Sequence, residues 1–165
     1  MSDPAFRITA AAASDVPLVL QFIKDLAEYE KLSHAVVADE AAIRTALFGP
    51  SPAAEVVIAY ADDWPVGFAL FFQTFSTFTG RPGLWLEDLF VKPEWRGRGY
   101  GRALLAHLAG IAVDRGYGRM EWSVLDWNEL ALRVYRKAGA QAMDEWTTNR
   151  LTGEPLRRLA SERPR

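Results

Sequence analysis

Apolar and polar positions follow two different periods along this chain, and the changes between them predict the order of its secondary structure. Val16, Leu20 and Ile23 recur at the spacing of one helix face, which predicts a helix that continues to about Glu30. Short stretches rich in valine, isoleucine and aromatic residues are typical of strands. The predicted strands cover residues 6–9, 54–60, 66–75, 84–91, 120–125 and 141–151, and the predicted helices cover residues 16–30, 39–47, 100–115, 129–137 and 154–160. This order indicates a mixed α/β domain around one sheet.

The segment from Trp85 to Arg102 combines an apolar strand, a loop of glycines and arginines, and the start of a helix. The loop residues are Arg96, Gly97, Arg98, Gly99, Tyr100 and Gly101. Glycines let the backbone approach closely and turn freely, so that several N–H groups can point at one anion. The first turn of the following helix adds unpaired N–H groups and a partial positive charge. We therefore predict that this segment binds a phosphate compound.

The loop motif is not specific by itself, because a tight strand-to-helix turn explains it equally well. It is not a Walker A loop, since no Gly-Lys-Ser/Thr follows. It also fits a dinucleotide-binding fingerprint poorly, because it lies in mid-chain within an apparently antiparallel-rich sheet. A phosphate compound of another kind fits better.

Composition and charge narrow the possible functions. The 165 residues suffice for one domain with a substantial core, and the net charge of −2 gives no overall attraction to nucleic acid. The chain has no cysteine, which excludes disulfides, thiolate metal ligands and a cysteine nucleophile. The N-terminus lacks signal-peptide features, and no apolar run reaches the roughly 18 residues of a membrane span. We expect a cytoplasmic protein that binds neither nucleic acid nor membranes.

Two carboxylates, Glu87 and Asp88, interrupt the apolar strand ahead of the loop. Neighbouring strand residues point to opposite faces, so we expect one carboxylate to face the covering helices and the other to face away or into a cleft. A structural ion pair or a loop contact is one interpretation. The other is a general base, because a carboxylate at a strand end beside a phosphate loop can draw a proton from a bound amine.

Asn128 and Tyr135 are two helical turns apart and therefore lie on one face of the predicted helix 129–137. Asn128 is a natural helix N-cap and Tyr135 a plausible core aromatic. Alternatively, both line a cleft, where the phenol can donate a proton to a leaving group. No cluster of histidine and carboxylate residues has metal-ligand spacing, so we expect no metal.

Taken together, these motifs resemble the Gcn5-related N-acetyltransferase (GNAT) superfamily, whose R/Q-x-x-G-x-G/A loop holds the pyrophosphate of acetyl-coenzyme A. The chain is more similar to the diamine (spermidine/spermine) and thialysine N-acetyltransferases, and most similar to the thialysine type. The segments that carry this resemblance are 22–32, 86–91, 125–128 and 135–140. It implies one GNAT-like α/β domain over residues 5–160, with a mixed, mostly antiparallel sheet and helices on both faces.

The resemblance also implies a role for individual residues. The residues implied to contact acetyl-coenzyme A, the co-substrate, are Leu89, Phe90, Val91, Arg96, Gly97, Arg98, Gly99, Tyr100, Gly101, Arg102, Asn128 and Ala131. The residues implied to bind the amine are Tyr29, Glu30, Glu87 and Glu145. Glu87 is the expected base, and Tyr135 is the expected proton donor to the departing thiolate.

The implied reaction is direct transfer of the acetyl group to a primary amine of a small lysine-like or diamine substrate. In the polyamine enzymes we expect an acidic residue in the loop before the central strand, but residues 75–80 of this chain contain none. This favours a thialysine-type amine over a long polycation. A polyamine, a protein lysine or an antibiotic amine as the acceptor remains an alternative, as does a non-catalytic acyl-coenzyme A sensor. The resemblance also implies a homodimer.

Overall fold

The structure of the protein is a computed structural model, and it describes residues 4–164. Its strands are β1 (Phe6–Ala10), β2 (Glu55–Ala61), β3 (Trp64–Ser76), β4 (Arg81–Val91) and β5 (Met120–Trp122). Its helices are α1 (Val16–Tyr29), α2 (Glu40–Phe48), α3 (Tyr100–Asp114), α4 (Glu129–Lys137) and α5 (Gly153–Ser161). Single 3₁₀ turns lie at Ala13–Asp15, Ser33–Ala35 and Pro93–Trp95. Within the described residues, no helix is both long enough and apolar enough to span a membrane.

The five strands form one sheet in the order β1-β2-β3-β4-β5. The first three pairings are antiparallel, and β4 pairs with β5 in parallel. A parallel pair needs a crossover connection, which α3 supplies between β4 and β5. The predicted mixed, mostly antiparallel sheet is confirmed.

Helices cover both faces of this sheet. On one face, Phe22 of α1 stacks on Phe68 of β3, with ring centroids 5.2 Å apart. On the other face, Tyr100 in the first turn of α3 stacks on Phe6 of β1 at 4.5 Å. Phe6 and Phe68 lie on opposite faces because their partners on β2 are three residues apart. Helices therefore cover both faces, as expected.

The core on the α1 side fixes the end of α1 against β4. Phe22 lies edge-on to Phe90 of β4, with centroids 6.3 Å apart, in addition to its stack on Phe68. The buried cluster around these rings consists of Val19, Phe22, Leu47, Val56, Ile58, Phe68 and Phe90. Tyr29, the last residue of α1, packs against the same cluster. The C-terminal end of α1 is thus held beside the last residues of β4.

A β-bulge interrupts the regular alternation of β4. Leu70 of β3 pairs with Asp88 of β4. The next residue of β3, Phe71, pairs with Leu86, so Glu87 is an extra residue on β4. A bulge of this kind shifts the following side chains to the other face of the strand. Asp88 therefore lies on the face opposite to Leu86, although the two residues are two positions apart.

The described chain divides into two compact units between Leu125 and Asp126. The first contains all five strands and α1 to α3, and the second contains α4 and α5. The predicted strand at 141–151 is wrong, because these residues form turns and irregular structure with exposed side chains. Its apolar residues Met143, Trp146 and Leu151 do not alternate, so they define no strand face. A single domain over residues 5–160 stays a prediction.

Two further element boundaries differ from the prediction. The loop predicted from Ser76 to Gly83 is a short turn, because β3 extends to Ser76 and β4 begins at Arg81. Gly83 belongs to β4, and a Cβ there would lie 2.9 Å from Oγ1 of Thr74 and 3.3 Å from the carbonyl oxygen of Arg119. This glycine therefore serves close strand packing. The strand predicted to end at 125 ends at Trp122.

Candidate active site

The C-terminal end of α1 places Tyr29 and Glu30 at the sheet. The Leu32 N–H donates to the carbonyl of Ala27 at 2.7 Å, and the Lys31 N–H donates to that of Glu28 at 3.0 Å. These two bonds form a Schellman motif, which usually has glycine where this chain has Lys31. Lys31 adopts a φ of 62°. The left-handed residue ends α1 directly after Glu30, so the position of this carboxylate is set by the helix end.

Glu87 and Asp88 lie on the same face of the sheet. Oε2 of Glu87 accepts a hydrogen bond of 2.8 Å from Nε1 of Trp85, whose register partner on β3 is Phe72. Asp88 pairs with Leu70, two positions from Phe72 and therefore on its face. The expectation that adjacent residues point to opposite faces is wrong here, because the bulge brings both carboxylates to the α1 side.

Burial and neighbouring charges change the acidity of this group of carboxylates. Burial, followed by the negative charges of Glu87 and Glu30, raises the pKa of the Asp88 carboxyl from 3.8 to about 6. Burial also raises the pKa of the Glu30 carboxyl above its ordinary value. Such a group attracts a cation, because a positive charge would relieve the repulsion among the three carboxylates.

One edge of β4 is open beyond the bulge. β5 pairs with β4 over residues 84–86, and among the described residues no strand borders this edge farther along. The Lys92 N–H donates to the carbonyl of Val66 on β3 at 2.9 Å. Successive strand residues direct their amide groups to alternate edges, so those of Val91 and Leu89 face the open edge. An extended ligand can pair with them as an added strand does.

Arg96 closes the far end of this edge. Its Nε donates a hydrogen bond of 2.9 Å to the carbonyl oxygen of Val91. Its guanidinium carbon lies 4.3 Å from the centroid of the Tyr29 ring and 5.6 Å from that of the Phe90 ring. Arg96 therefore contacts both β4 and the end of α1, a set of contacts that the loop motif did not indicate.

The glycine loop adopts the backbone conformation that the sequence predicts for it. Gly97 and Gly99 have φ values of 79° and 84°, a region that residues with a Cβ rarely adopt. Gly99 is the N-cap of α3, and no side chain caps this helix end. The first helical bond runs from the Ala103 N–H to the Gly99 carbonyl, so the N–H groups of residues 100–102 precede it. These amides and the helix dipole suit an anion.

Other predicted loop residues differ in exposure. Tyr100 is buried and stacked on Phe6, so its ring anchors α3 to the sheet. Arg98 is exposed, and its guanidinium carbon lies 4.9 Å from the centroid of the Trp95 ring. Arg102 is exposed in the first turn of α3. Arg98 and Arg102 thus present positive charge beside the loop, whereas Tyr100 can contribute only its backbone.

The second unit contains the remaining predicted site residues. Asn128 is buried and caps α4, because its Oδ1 accepts a hydrogen bond of 3.2 Å from the Ala131 N–H. This hydrogen bond confirms the predicted N-cap, and it engages the N–H of Ala131. Tyr135 is half-buried on α4, and Glu145 is exposed in an irregular segment.

The sequence prediction assigned neither Asp88 nor Trp85 a role among the catalytic and binding residues. The pair Glu87-Asp88 was visible as an acidic interruption of an apolar strand, but a regular strand would separate the two side chains. Only the bulge, which depends on the pairing with β3, brings them together. The hydrogen bond from Trp85 follows from the ordinary i, i+2 spacing on one strand face.

A cavity of about 550 Å³ lies elsewhere in the first unit, between the start of β2 and the end of α2. Its lining includes Phe48, Ala54 and Phe72, but none of the predicted site residues. Among residues 4–164, no group of three or more histidine, aspartate or glutamate side chains could hold a metal ion.

Comparison with known proteins shows the family to which the chain belongs. The profile of the acetyltransferase (GNAT) family matches residues 21–140. A thialysine N-epsilon-acetyltransferase of Mus musculus is 38% identical, with 93% of this chain and 96% of the relative covered. An L-ornithine N5-acetyltransferase of Arabidopsis thaliana is 30% identical, with coverages of 93% and 87%. The solved structure of an integron cassette protein from the V. cholerae mobile metagenome has a TM-score of 0.79 and 25% identity, covering 95% of this chain and 98% of that one. The chain belongs to the acetyltransferase (GNAT) family.

Proposed function

We propose that this enzyme transfers the acetyl group of acetyl-coenzyme A to the terminal amine of a small lysine-like amino acid by direct attack. The observation that carries the proposal is a group of three carboxylates beside the open edge of β4. Glu87 and Asp88 lie on one face of β4, and Glu30 at the end of α1 is near enough for its charge to act on Asp88. Relatives named for thialysine and for L-ornithine are about one third identical in sequence, and these alignments cover nearly the whole chain. Both of those named substrates are small amino acids with a terminal side-chain amine.

The acidic group supplies a binding site for the ammonium form of the substrate. Glu30, Glu87 and Asp88 lie close enough that the charges of the first two raise the pKa of Asp88. Tyr29 adds an aromatic wall at the end of α1, where its ring contacts Arg96. A cationic amine would compensate the charge of these carboxylates, and the alkyl chain would lie against the ring.

The same carboxylates pose a problem for the reaction. An alkylammonium has a pKa near 10.4, so forming the nucleophilic neutral amine at pH 7 costs roughly 4–5 kcal/mol. Neighbouring carboxylates raise this amine pKa further. A base that takes the proton during the attack resolves the conflict. We assign this role to Glu87, directly or through a water, because its carboxylate is held in place by Trp85.

The acetyl donor would lie along the open edge of β4. The amide groups of Leu89 and Val91 face this edge, which favours pairing with the extended pantetheine arm. A backbone N–H there is also suited to stabilise the oxyanion formed at the thioester carbonyl. Gly97 to Arg102 would hold the pyrophosphate, since this segment combines positive-φ glycines, helix amides and exposed arginines.

The family resemblance also implies roles for four residues of the second unit. Tyr135 would donate a proton to the departing sulfur, so that coenzyme A leaves as the thiol and not as the thiolate. Asn128 and Ala131 would contact the arm of the donor. Glu145 is a further candidate for the amine site. These roles come from the family resemblance.

We propose a small amine and not a polyamine as the substrate because of the residues in the turn between β3 and β4. A long polycation gains from several separated carboxylates, but residues 75–80 contain none. The exposed side chains near this turn include Phe75 and Phe78. One acidic group at the end of α1 and β4 therefore suits a substrate with one terminal amine.

The test is release of coenzyme A from acetyl-coenzyme A over a panel of thialysine, L-ornithine, lysine, spermidine and putrescine. We expect the highest kcat/KM with thialysine or ornithine. A preference for spermidine would replace the proposed acceptor by a polyamine, and activity only on lysine within peptides would indicate a protein substrate. Tight acetyl-coenzyme A binding without turnover on any amine would favour a non-catalytic sensor.

We also propose that the enzyme is a homodimer, as the family resemblance implies, and that it is cytoplasmic. Light scattering after size-exclusion chromatography tests the dimer, which should elute at about twice the chain mass of 18.4 kDa. A monomer at micromolar concentration would contradict it.

A further inference from the structure

We propose that Arg96 is a positioning residue that joins the amine-binding end of α1 to the donor-binding edge of β4, and not a ligand of the pyrophosphate. The inference deepens the proposed function and rests on it. It concerns the first residue of the glycine loop, whose charge by itself would assign it to the phosphate.

The side chain of Arg96 contacts residues outside the glycine loop. Nε, one of its donors, is engaged with the carbonyl of Val91 at 2.9 Å. The flat guanidinium lies over the Tyr29 ring at 4.3 Å and near the Phe90 ring at 5.6 Å. The contacted residues belong to two different elements, α1 and β4. Tyr29 is the last residue of α1, and Phe90 and Val91 are the last two residues of β4.

Arg98 provides a contrast within the same loop. Its guanidinium carbon lies 4.9 Å over Trp95, a residue of the adjoining 3₁₀ turn, so its contact is local. Arg98 is exposed, whereas Arg96 is partly buried. An arginine that is exposed beside the positive-φ glycines can reach an anion there. The contacts of Arg96 instead fix its guanidinium beneath the amine site.

Two consequences follow for the reaction. The Val91 carbonyl faces the open edge, so the bond from Arg96 fixes the end of the ladder that an added strand can use. The stack on Tyr29 holds the residue directly before Glu30. Arg96 thereby sets the distance between the bound donor and the bound amine. Lysine cannot replace it here, because lysine has neither a planar face nor an Nε–H.

The test compares Arg96→Met and Arg96→Lys with Arg98→Met, using two donors. Acetyl-coenzyme A contains the pyrophosphate, and acetyl-pantetheine does not. A positioning role predicts that both Arg96 variants raise the amine KM and lower kcat/KM by about tenfold, and by the same factor with either donor. Arg98→Met should affect only the reaction with acetyl-coenzyme A. A loss in the Arg96 variants confined to acetyl-coenzyme A would overturn the inference.

Binding and exchange measurements separate this inference from the proposed function, because they need no turnover. By calorimetry, coenzyme A should bind Arg96→Met within about threefold of the unaltered enzyme, whereas loss of a phosphate ligand weakens binding about tenfold or more. Amide hydrogen exchange at residues 29–32 should become faster in Arg96→Met and stay unchanged in Arg98→Met. Unchanged exchange at the end of α1 would overturn the positioning role.

A double-mutant cycle tests the contact with the ring. Once Tyr29→Leu has removed the ring, adding Arg96→Met should lower kcat/KM by no more than about threefold, because the shared interaction is already lost. Fully multiplicative losses would show that Arg96 does not act through Tyr29. Thermal melts of each variant confirm that the compared proteins are folded.

Discussion

The indole of Trp85 donates a hydrogen bond of 2.8 Å to Oε2 of Glu87, two residues farther along the same strand. The bond lies immediately before the point where the bulge brings Asp88 to the same face. Glu87 is exposed, and an exposed glutamate ordinarily samples several rotamers. The indole restricts this freedom, so one carboxylate oxygen is fixed at the proposed amine site.

Glu87→Gln should lower kcat by roughly 100-fold, because general-base catalysis commonly contributes that much, and it should change the pH profile of kcat. Trp85→Phe keeps the ring on Phe72 but removes the N–H, and it should lower kcat by less, about threefold to tenfold. Steady-state kinetics between pH 5 and 10 provide the measurement. A Glu87→Gln enzyme with an unaltered pH profile would assign the base to another group.

Asp88 should make the protein less stable as the pH rises. Its pKa is about 6 in the folded protein and 3.8 ordinarily, so the folded state holds the proton more tightly. Below pH 4 the carboxyl is protonated in both the folded and the unfolded state, so the stabilising contribution of the protonated group is fully present. As the pH rises through 6, the folded protein also loses the proton, and this contribution to the free energy of unfolding is lost. Asp88→Asn should raise the free energy of unfolding at pH 7.5 by roughly 1–3 kcal/mol relative to the unaltered enzyme. This gain should disappear below pH 4.

The measurement is urea denaturation of both proteins at several pH values. Asp114→Asn, which alters an exposed carboxylate at the end of α3, is the matched control for exchanging a carboxylate for an amide. In the activity assay, Asp88→Asn should raise the KM of the amine despite the gain in stability. A gain that persisted at pH 3.5 would show that the effect does not come from titration of Asp88.

Most elements of the first unit were predictable from the sequence, because each depends on a local period. The helix from Val16 was predicted from the spacing of its apolar residues, and the loop at Gly99 from its glycines. The strand predicted at 141–151 was wrong, since the apolar residues there are scattered and do not alternate. A strand also needs a partner, and a local pattern does not show whether one is present.

The arrangement of the site was less predictable, because it depends on pairings between distant segments. The shared face of Glu87 and Asp88 results from the register between β3 and β4. The position of Arg96 depends on the packing of α1. This packing places Tyr29 in contact with Arg96, although the two residues are more than sixty positions apart in the sequence. The residue types indicated an amine and a phosphate compound, but not which side chains would meet.

Gly99→Val should abolish binding of acetyl-coenzyme A and leave the protein folded. A Cβ at Gly99 would meet no heavy atom within 4 Å, so the cost comes only from the φ of 84° and amounts to about 1–2 kcal/mol. The side chain would nevertheless occupy the space that the phosphate needs. Gly116→Val is the matched control, because Gly116 follows α3 with a φ of 69° and equally open surroundings.

Calorimetric titration with acetyl-coenzyme A, together with thermal denaturation, distinguishes the two variants. Both should melt at lower temperature than the unaltered enzyme by similar amounts. Only Gly99→Val should lose binding. Retained affinity in Gly99→Val would remove the phosphate from the start of α3, and loss of affinity in both variants would assign the effect to instability.

Tyr135→Phe should lower kcat by roughly 100-fold through loss of the proposed proton donor, while the dissociation constant of acetyl-coenzyme A should change by less than about threefold. The retained ring keeps the packing on α4. Tyr117→Phe is the control, because the Tyr117 hydroxyl donates to Oε1 of Gln73 at 2.8 Å and takes no part in the proposed reaction. With an aryl thioester as the donor, the arenethiolate can leave without being protonated. The loss of kcat in Tyr135→Phe should therefore be smaller with this donor. An equal deficit with both donors would eliminate the acid role, since an acid matters only when the leaving group needs its proton.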